Sequence, residues 1–209
     1  MYIVKRYPRA RLLGIGFSLG ANVLIRYLAQ EGQGSRLTAG CALGCPWDLR
    51  AVSSRLTNGA WTDRIYSRAL AQNLLNLVKG HSIVLARNTA FAQVMPEILS
   101  LKSPSLWEFD TLYTSQHASY AAPFPFPGAK EYYLWASSHN VLADVRVPLL
   151  AINANDDPIV QDLPRDVGGN ELIALAVTKG GGHLGCSCPA DGGGVASSAD
   201  GSRGQYWSG

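Results

Sequence analysis

The stretch "GIGFSLGANVLIRYLAQ", residues 14–30, decides how the chain folds. Three closely spaced glycines interrupt an apolar run, and apolar residues at helical spacing follow them. We predict a buried strand over residues 11–15 and a helix over residues 19–30, which a pair of glycines ends. A second strand over residues 37–43 completes a strand–helix–strand unit, which predicts an α/β fold with a parallel sheet.

The composition is that of a globular chain with enough apolar material for a sizeable core. Of the 209 residues, 47% are hydrophobic and 16% are charged, and the formal net charge is +3. The lysines and arginines are scattered, which argues against nucleic acid as a partner. No run approaches the roughly 18 apolar residues that a membrane span needs, so we expect no transmembrane segment in this chain.

Residues from about 50 to 140 form a predicted helical insertion in the α/β framework. The stretch "TDRIYSRALAQNLLNLVKG", residues 62–80, predicts a long helix with Thr62 as its N-cap and Gly80 as its stop. We expect Pro96 and Pro104 to interrupt the helices that follow. The predicted apolar stripe of the long helix consists of Ile65, Ala69, Leu70, Leu74, Leu77 and Val78.

The α/β pattern returns in the last third of the chain. The runs at residues 147–156, "VPLLAINAND", and 172–177, "LIALAV", predict two more strands. After residue 185 the sequence is rich in glycine, serine and alanine and has no periodicity. We therefore divide the chain into one domain over residues 1–185 and a low-complexity tail over residues 186–209, which we predict to be disordered.

The opening stretch contains the pattern G-x-S-x-G, formed by Gly16, Ser18 and Gly20. It lies between a predicted strand and a predicted helix, which is the context of a nucleophile elbow. We expect this turn to require a residue without a side chain at both glycine positions, so that strand and helix can approach closely. The hydroxyl of Ser18 would then stand at the sheet edge, and the backbone N–H of Leu19 would point to where an oxyanion forms.

Two other interpretations of the same glycines remain open at this point. Gly14 and Gly16 begin a dinucleotide-binding pattern G-x-G-x-x-G, but Leu19 occupies its sixth position and no acidic residue follows the next strand. The stretch also fits an ordinary glycine-rich turn between a strand and a helix. The pattern G-x-S-x-G alone does not separate these possibilities.

An activated serine needs a base, and the base needs a carboxylate that orients it. Asp156 and Asp157 follow the predicted strand at residues 147–156, and His183 follows the next strand in "GGGHLG". We favour Asp157, because the pattern Asp-x-Ile-Val is usual in such acid loops, and keep Asp156 as the alternative. The order serine, aspartate, histidine at three strand ends predicts a catalytic triad of Ser18, Asp157 and His183. The other histidines, His81, His117 and His139, lack this setting, and we expect them to be structural or exposed.

The four cysteines favour a structural role over metal binding. Cys41 and Cys45 lie in or near a predicted strand, and Cys186 and Cys188 lie near His183. Neither pair has the C-x2-C spacing that is usual in zinc ribbons, so we expect no metal site. Few and irregularly spaced cysteines favour a reducing compartment.

Several stretches together give the chain a specific resemblance to the α/β-hydrolase fold. They are "GIGFSLGANVLIRYLAQEG", "CPWDL", "IYSRALAQNLLNLVKGH", "FDT", "VPLLAINANDDPIV" and "GGHLG", within residues 10–185. Within that fold the chain resembles fungal medium-chain fatty acid ethyl ester synthase/esterases and animal α/β-hydrolase-domain phospholipases.

This resemblance implies a serine esterase or lipase that uses Ser18, Asp157 and His183 and needs no metal or organic cofactor. The implied substrates are esters of medium-chain fatty acids or glycerolipids, with water or an alcohol accepting the acyl group. The helical region would be a cap that gives an apolar acyl channel.

The resemblance also implies that the chain is the C-terminal part of the fold, truncated at its N-terminus. The strands that precede the elbow would then be absent, together with the loop that supplies a second oxyanion donor. A catalytically incompetent fragment, or a protein that acts by interaction, is therefore the alternative to an active esterase.

Overall fold

The computed structural model describes residues 2–119, 121–185 and 205–208. Two compact units make up the chain, the first being Met1–Asp48 with Ala136–Gly209 and the second Leu49–Trp135. Nowhere in these described ranges does a helix combine the length and the apolar character needed to cross a membrane.

The first unit is built on a parallel five-stranded sheet. Its strands lie side by side in chain order, and each pairs in parallel with the next. They are β1 (Leu13–Phe17), β2 (Ala39–Leu43), β3 (Leu149–Ala154), β4 (Ile173–Thr178) and β5 (Gln205–Ser208). The unit also holds helix α1 (Tyr2–Arg6), helix α2 (Leu19–Glu31) and the short 3-10 segments Gly32–Gly34, Ser138–Asp144 and Val167–Gly169.

The core of the first unit lies on one face of this sheet. Helix α2 buries Ala21, Ile25 and Leu28 there, in one cluster with the inward residues of the strands. Side chains alternate along a strand, so the neighbouring positions point to the other face. Those neighbours are more exposed: Leu13 is 69%, Ile15 64%, Phe17 55% and Leu150 41% exposed.

The predicted strand–helix–strand unit is confirmed, with adjusted ends. Helix α2 begins at Leu19 as predicted and is capped by Gly32, which has a φ of 50°. Strand β1 runs later than the predicted residues 11–15, because its register with β2 continues to the pair Phe17 and Leu43. Strand β1 therefore ends directly before Ser18.

The predicted tail is only partly within the structure. Residues 186–204, with Cys186 and Cys188, lie outside the described residues. The segment Gln205–Ser208 forms β5 and pairs with β4. These four residues thus differ from the predicted disordered tail.

The second unit is helical. Its helices are α3 (Leu49–Asn58), α4 (Trp61–Gly80), α5 (Ser82–Leu85), α6 (Thr89–Ser100), α7 (Leu106–Phe109), α8 (Ser115–His117) and α9 (Ala129–Ala136), with a π-helical turn at Asp110–Thr114. The last residue of α9 belongs to the first unit. A separate core joins α4, α6 and α7 through Ala71, Leu75, Val78, Phe91, Met95, Ile98 and Phe109. The role of this unit as a cap stays a prediction.

Helix α4 exposes most of its predicted apolar stripe. Ile65, Leu70 and Leu77 are 54%, 37% and 59% exposed, whereas Val78 is buried as predicted. The buried face instead carries Asp63, Ser67, Ala71, Leu75 and Val78. Small side chains on this face allow close packing, and the Ser67 hydroxyl accepts a hydrogen bond of 2.9 Å from the backbone N–H of Leu106.

The predicted ends of α4 also need correction. Thr62 is not the N-cap, because the helix begins at Trp61 and the Asp63 carboxylate accepts a bond of 2.9 Å from the N–H of Ala60. Gly80 is the last helical residue, and His81 follows it as the C-cap.

Pro96 does not interrupt the helix that contains it. Helix α6 runs through it from Thr89 to Ser100. Proline removes one backbone hydrogen bond from a helix, but Met95 and Ile98 on either side are buried in the core of this unit. Their packing favours a continuous helix across the proline.

Candidate active site

Ser18 stands in a sharp turn between β1 and α2. Its backbone has φ 50° and ψ −124°, a conformation that non-glycine residues rarely adopt. The turn is fixed by a hydrogen bond of 2.8 Å from the N–H of Ser18 to the carbonyl oxygen of Leu43. Such backbone strain costs about 1–3 kcal/mol and persists only where surrounding contacts hold it, often at functional sites.

The two glycines of the pattern G-x-S-x-G are not equivalent. A Cβ on Gly16 would lie 2.4 Å from the carbonyl oxygen of Gly20 and 2.6 Å from Cα of Ala21, so β1 and α2 require a glycine there. A Cβ on Gly20 would meet no described atom within 4 Å. The expectation that both glycines are needed for close approach is therefore wrong for Gly20, because its missing side chain would point into open space.

His183 lies in the loop after β4 and contacts both other predicted triad residues. Its Nε2 is 2.7 Å from Oγ of Ser18, and its Nδ1 is 2.8 Å from Oδ2 of Asp157. The His183 side chain is 19% exposed, whereas that of Asp157 is fully buried. Residues far apart in the chain thus form a continuous hydrogen-bonded relay.

The structure distinguishes between the two neighbouring aspartates. Asp157 bonds the imidazole, and its Oδ1 accepts bonds of 2.8 and 3.0 Å from the backbone N–H groups of Ile159 and Val160. These two donors hold the carboxylate of Asp157 in place. Asp156 is exposed and bonds the backbone ahead of His183 instead.

The N-terminus of α2 provides a positive electrostatic environment beside Ser18. The first backbone N–H groups of a helix have no partner within the helix, and Leu19 carries the first of them. No acidic residue occupies the first turn of α2 to offset the helix dipole. This environment would favour an oxyanion at Ser18, and the role of the Leu19 N–H as its donor stays a prediction.

Gly44 is a residue at this site that the sequence interpretation missed. It follows β2 with a φ of 59°, and a Cβ there would lie 2.4 Å from the carbonyl oxygen of His183. Only glycine lets the loop that carries His183 pass this close. A glycine directly after the second predicted strand was the available signal.

The remaining histidines are placed apart from this relay. His139 contacts the carbonyl oxygen of Trp47 at 3.0 Å and lies 3.9 Å from the Asp48 carboxylate. His117 packs against the ring of Phe91, and burial lowers its pKa. His81 is exposed at the end of α4.

The described cysteines do not form a metal site. Cys45 is buried, and burial raises the pKa of its thiol, which disfavours a reactive thiolate. In the part of the chain that the structure describes, no three His, Cys, Asp or Glu side chains cluster as metal ligands would.

Curated proteins similar to this chain are named as lipases and hydrolases, although no family model matches it. Monoacylglycerol lipase of Saccharomyces cerevisiae is 34% identical over 183 residues, which cover 87% of this chain and 39% of the lipase. Medium-chain fatty acid ethyl ester synthase/esterase 2 of the same yeast is 36% identical over 197 residues, which cover 86% and 42%. An abhydrolase domain-containing protein of Dictyostelium discoideum is 32% identical over 174 residues, which cover 82% and 41%.

Among solved structures, an esterase of Pyrococcus furiosus is similar with a TM-score of 0.44 at 17% identity, covering 87% of this chain and 49% of the esterase. The chain spans about two fifths of the length of the first two curated relatives. On these sequence relationships, the chain is homologous to these lipases and esterases.

Proposed function

We propose that the chain is a carboxylic ester hydrolase that uses Ser18, His183 and Asp157. The observation that carries this proposal is the relay from Oγ of Ser18 through the imidazole to a fully buried carboxylate. The strained turn at Ser18 and the open helix N-terminus beside it support the same chemistry.

In the proposed reaction, Oγ of Ser18 attacks the ester carbonyl while Nε2 of His183 accepts the hydroxyl proton. The N–H of Leu19 donates to the oxyanion of the tetrahedral intermediate, and Asp157 stabilises the imidazolium. When the intermediate collapses, His183 returns the proton to the leaving alcohol and an acyl-enzyme remains. Water or a second alcohol then attacks this ester, so the same residues serve hydrolysis and acyl transfer.

For the substrate we propose esters of medium-chain fatty acids or monoacylglycerols. The names of the yeast relatives support this class, one being a monoacylglycerol lipase and the other an ethyl ester synthase/esterase. The proposed chemistry on the described residues needs no metal or organic cofactor.

A panel of p-nitrophenyl esters of increasing acyl length, followed by monoacylglycerols, tests this function. We expect hydrolysis by the chain, with Ser18→Ala at background level. The matched control is Ser100→Ala, which removes the hydroxyl of an exposed serine on α6. Equal hydrolysis by Ser18→Ala would contradict the proposal.

The exposed side chains of β1 favour a second candidate, a non-catalytic protein that acts by interaction. Leu13, Ile15 and Phe17 are all more than half exposed on one face of an outer strand. A folded chain that hydrolyses no ester in the panel would favour this candidate.

A further inference from the structure

Two neighbouring aspartates contact His183 and its loop in different ways. Asp157 bonds the imidazole ring. Oδ1 of Asp156 accepts a bond of 2.8 Å from the backbone N–H of Gly182, and its Oδ2 accepts one of 3.2 Å from that of Gly181. One carboxylate therefore holds the base, and the other holds the two residues that precede it.

The loop needs such an anchor because of its composition. Gly181 and Gly182 both have positive φ, at 131° and 61°, so glycine suits these positions. Glycine loses more conformational freedom on ordering than any other residue. Within the loop, the N–H of Gly185 donates to the carbonyl oxygen of Gly181, which closes a turn around His183. The Asp156 carboxylate ties the start of that turn to the end of β3.

We propose that Asp156 is a positioning residue, which sets the place of the His183 imidazole through the backbone of Gly181 and Gly182. This inference rests on the proposed hydrolase function. Asp156 acts through its two acceptor oxygens, which bond the backbone of the loop rather than Ser18 or the imidazole ring.

Two substitutions at Asp156 separate an anchoring role from an effect of charge. Asp156→Asn removes the charge but keeps one acceptor oxygen, and Asp156→Ala removes both acceptors. We expect Asp156→Ala to lower kcat about 10- to 100-fold with KM within twofold, because a shift of about 1 Å in a catalytic group costs up to a hundredfold. Asp156→Asn should recover part of this loss. The matched control, Asp162→Ala, removes an exposed carboxylate from the same connection and should keep the wild-type kcat.

The readouts are kcat and KM on a p-nitrophenyl ester, the rate of fluorophosphonate labelling, and the melting temperature. A kcat for Asp156→Ala within twofold of wild type would overturn the proposal. Equal losses of kcat in the Asn and Ala variants would also overturn it, because they would indicate an effect of charge. So would a loss of kcat that a loss of folded protein explains. If the wild-type chain is folded but neither labels nor hydrolyses, the proposed function itself fails.

Discussion

At the scale of the residue, the geometry of the site is set by groups that cannot move freely. Asp157 is fully buried and held by two backbone donors. Ser18 is fixed in a strained turn by the carbonyl oxygen of Leu43. His183 lies between them, so its ring orientation depends on contacts from both sides.

Asp157→Asn tests the role of the buried carboxylate. The asparagine oxygen can still accept from Ile159 and Val160, but its NH2 group would then face Nδ1 of His183. This arrangement favours the wrong tautomer of the imidazole. We expect kcat to fall by about 10³- to 10⁴-fold, as an Asp-to-Asn change does in a well-studied serine protease. Steady-state kinetics check this, with Asp162→Asn as the control, and a loss below tenfold would contradict the assigned role.

The contacts between Ser18, His183 and Asp157 were predictable from the sequence, because each residue follows a strand with a strong local signal, and their catalytic role stays a prediction. A sequence motif favoured Asp157 over Asp156, and in the structure it is Asp157 that bonds His183. The role of Gly44 was not predictable, because its contact with His183 joins loops that are distant in the chain. Local patterns carry no information about such close approaches.

At the scale of the element, the packing of α2 on β1 depends on a backbone-to-backbone contact. Gly16 approaches the backbone of Gly20 and Ala21, whereas Gly20 has open space beside it. The start of α2 was predictable from the glycine pattern, because glycine is the residue that permits β1 and α2 to approach closely. The direction in which Gly20 points was not predictable from the pattern.

A pair of alanine substitutions tests this asymmetry. We expect Gly16→Ala to lower the free energy of unfolding by about 1–3 kcal/mol, because strand and helix must separate to admit a methyl group. Gly20→Ala should be neutral or stabilising by up to about 1 kcal/mol, since alanine favours a helix over glycine. Urea denaturation of both variants checks the prediction, and equal destabilisation would show that both glycines are steric requirements.

The face of α4 was predicted wrongly for a physical reason. Periodicity selected its large apolar residues, but the helix packs through smaller side chains that include Ser67 and Ala71. Tertiary contacts override the apolar pattern where close packing and hydrogen bonds to side chains are available. Elsewhere in the helical unit, a buried carboxyl group gives the stability a dependence on pH.

Asp110 provides that dependence. It is buried in the helical unit and accepts hydrogen bonds from Oγ1 of Thr114 and the hydroxyl of Tyr133. Burial raises the pKa of Asp110 above its ordinary value, and the two hydrogen bonds oppose the shift. The folded chain therefore holds this proton to a higher pH than the unfolded chain does. Stability from Asp110 is complete below the unfolded pKa of about 4 and is lost as pH rises toward the folded pKa.

Asp110→Asn should remove this loss of stability. Relative to the variant, we expect the wild type to lose free energy of unfolding as pH rises above about 4, by at most about 1.4 kcal/mol per pH unit. Urea denaturation at several pH values between 4 and 8 measures the difference. A constant difference between the two proteins across this range would contradict the account.

At the scale of the whole molecule, the outer strand β1 leaves one of its faces exposed to solvent. It lies at one edge of the described sheet, and Leu13, Ile15 and Phe17 are exposed on one face. Parallel sheets are normally covered on both faces, and open edges pair with other chains. The first two curated relatives are more than twice as long as the matched segment.

We expect the isolated chain to self-associate through β1. Ile15→Lys places a charge on the exposed face of this strand and should shift the chain toward the monomer in sedimentation experiments. Ile83→Lys is the matched control, because Ile83 is 81% exposed on α5 of the helical unit. An equal effect of the two substitutions would locate the association elsewhere.

The proposed function depends on the activation of Ser18 by His183 and Asp157. Peptide mapping by mass spectrometry, after reaction of the folded chain with a fluorophosphonate, tests it most directly. We expect one phosphonyl adduct, on Ser18, and strongly reduced labelling in His183→Ala. A folded chain with no adduct, or with its adduct on another residue, would contradict it.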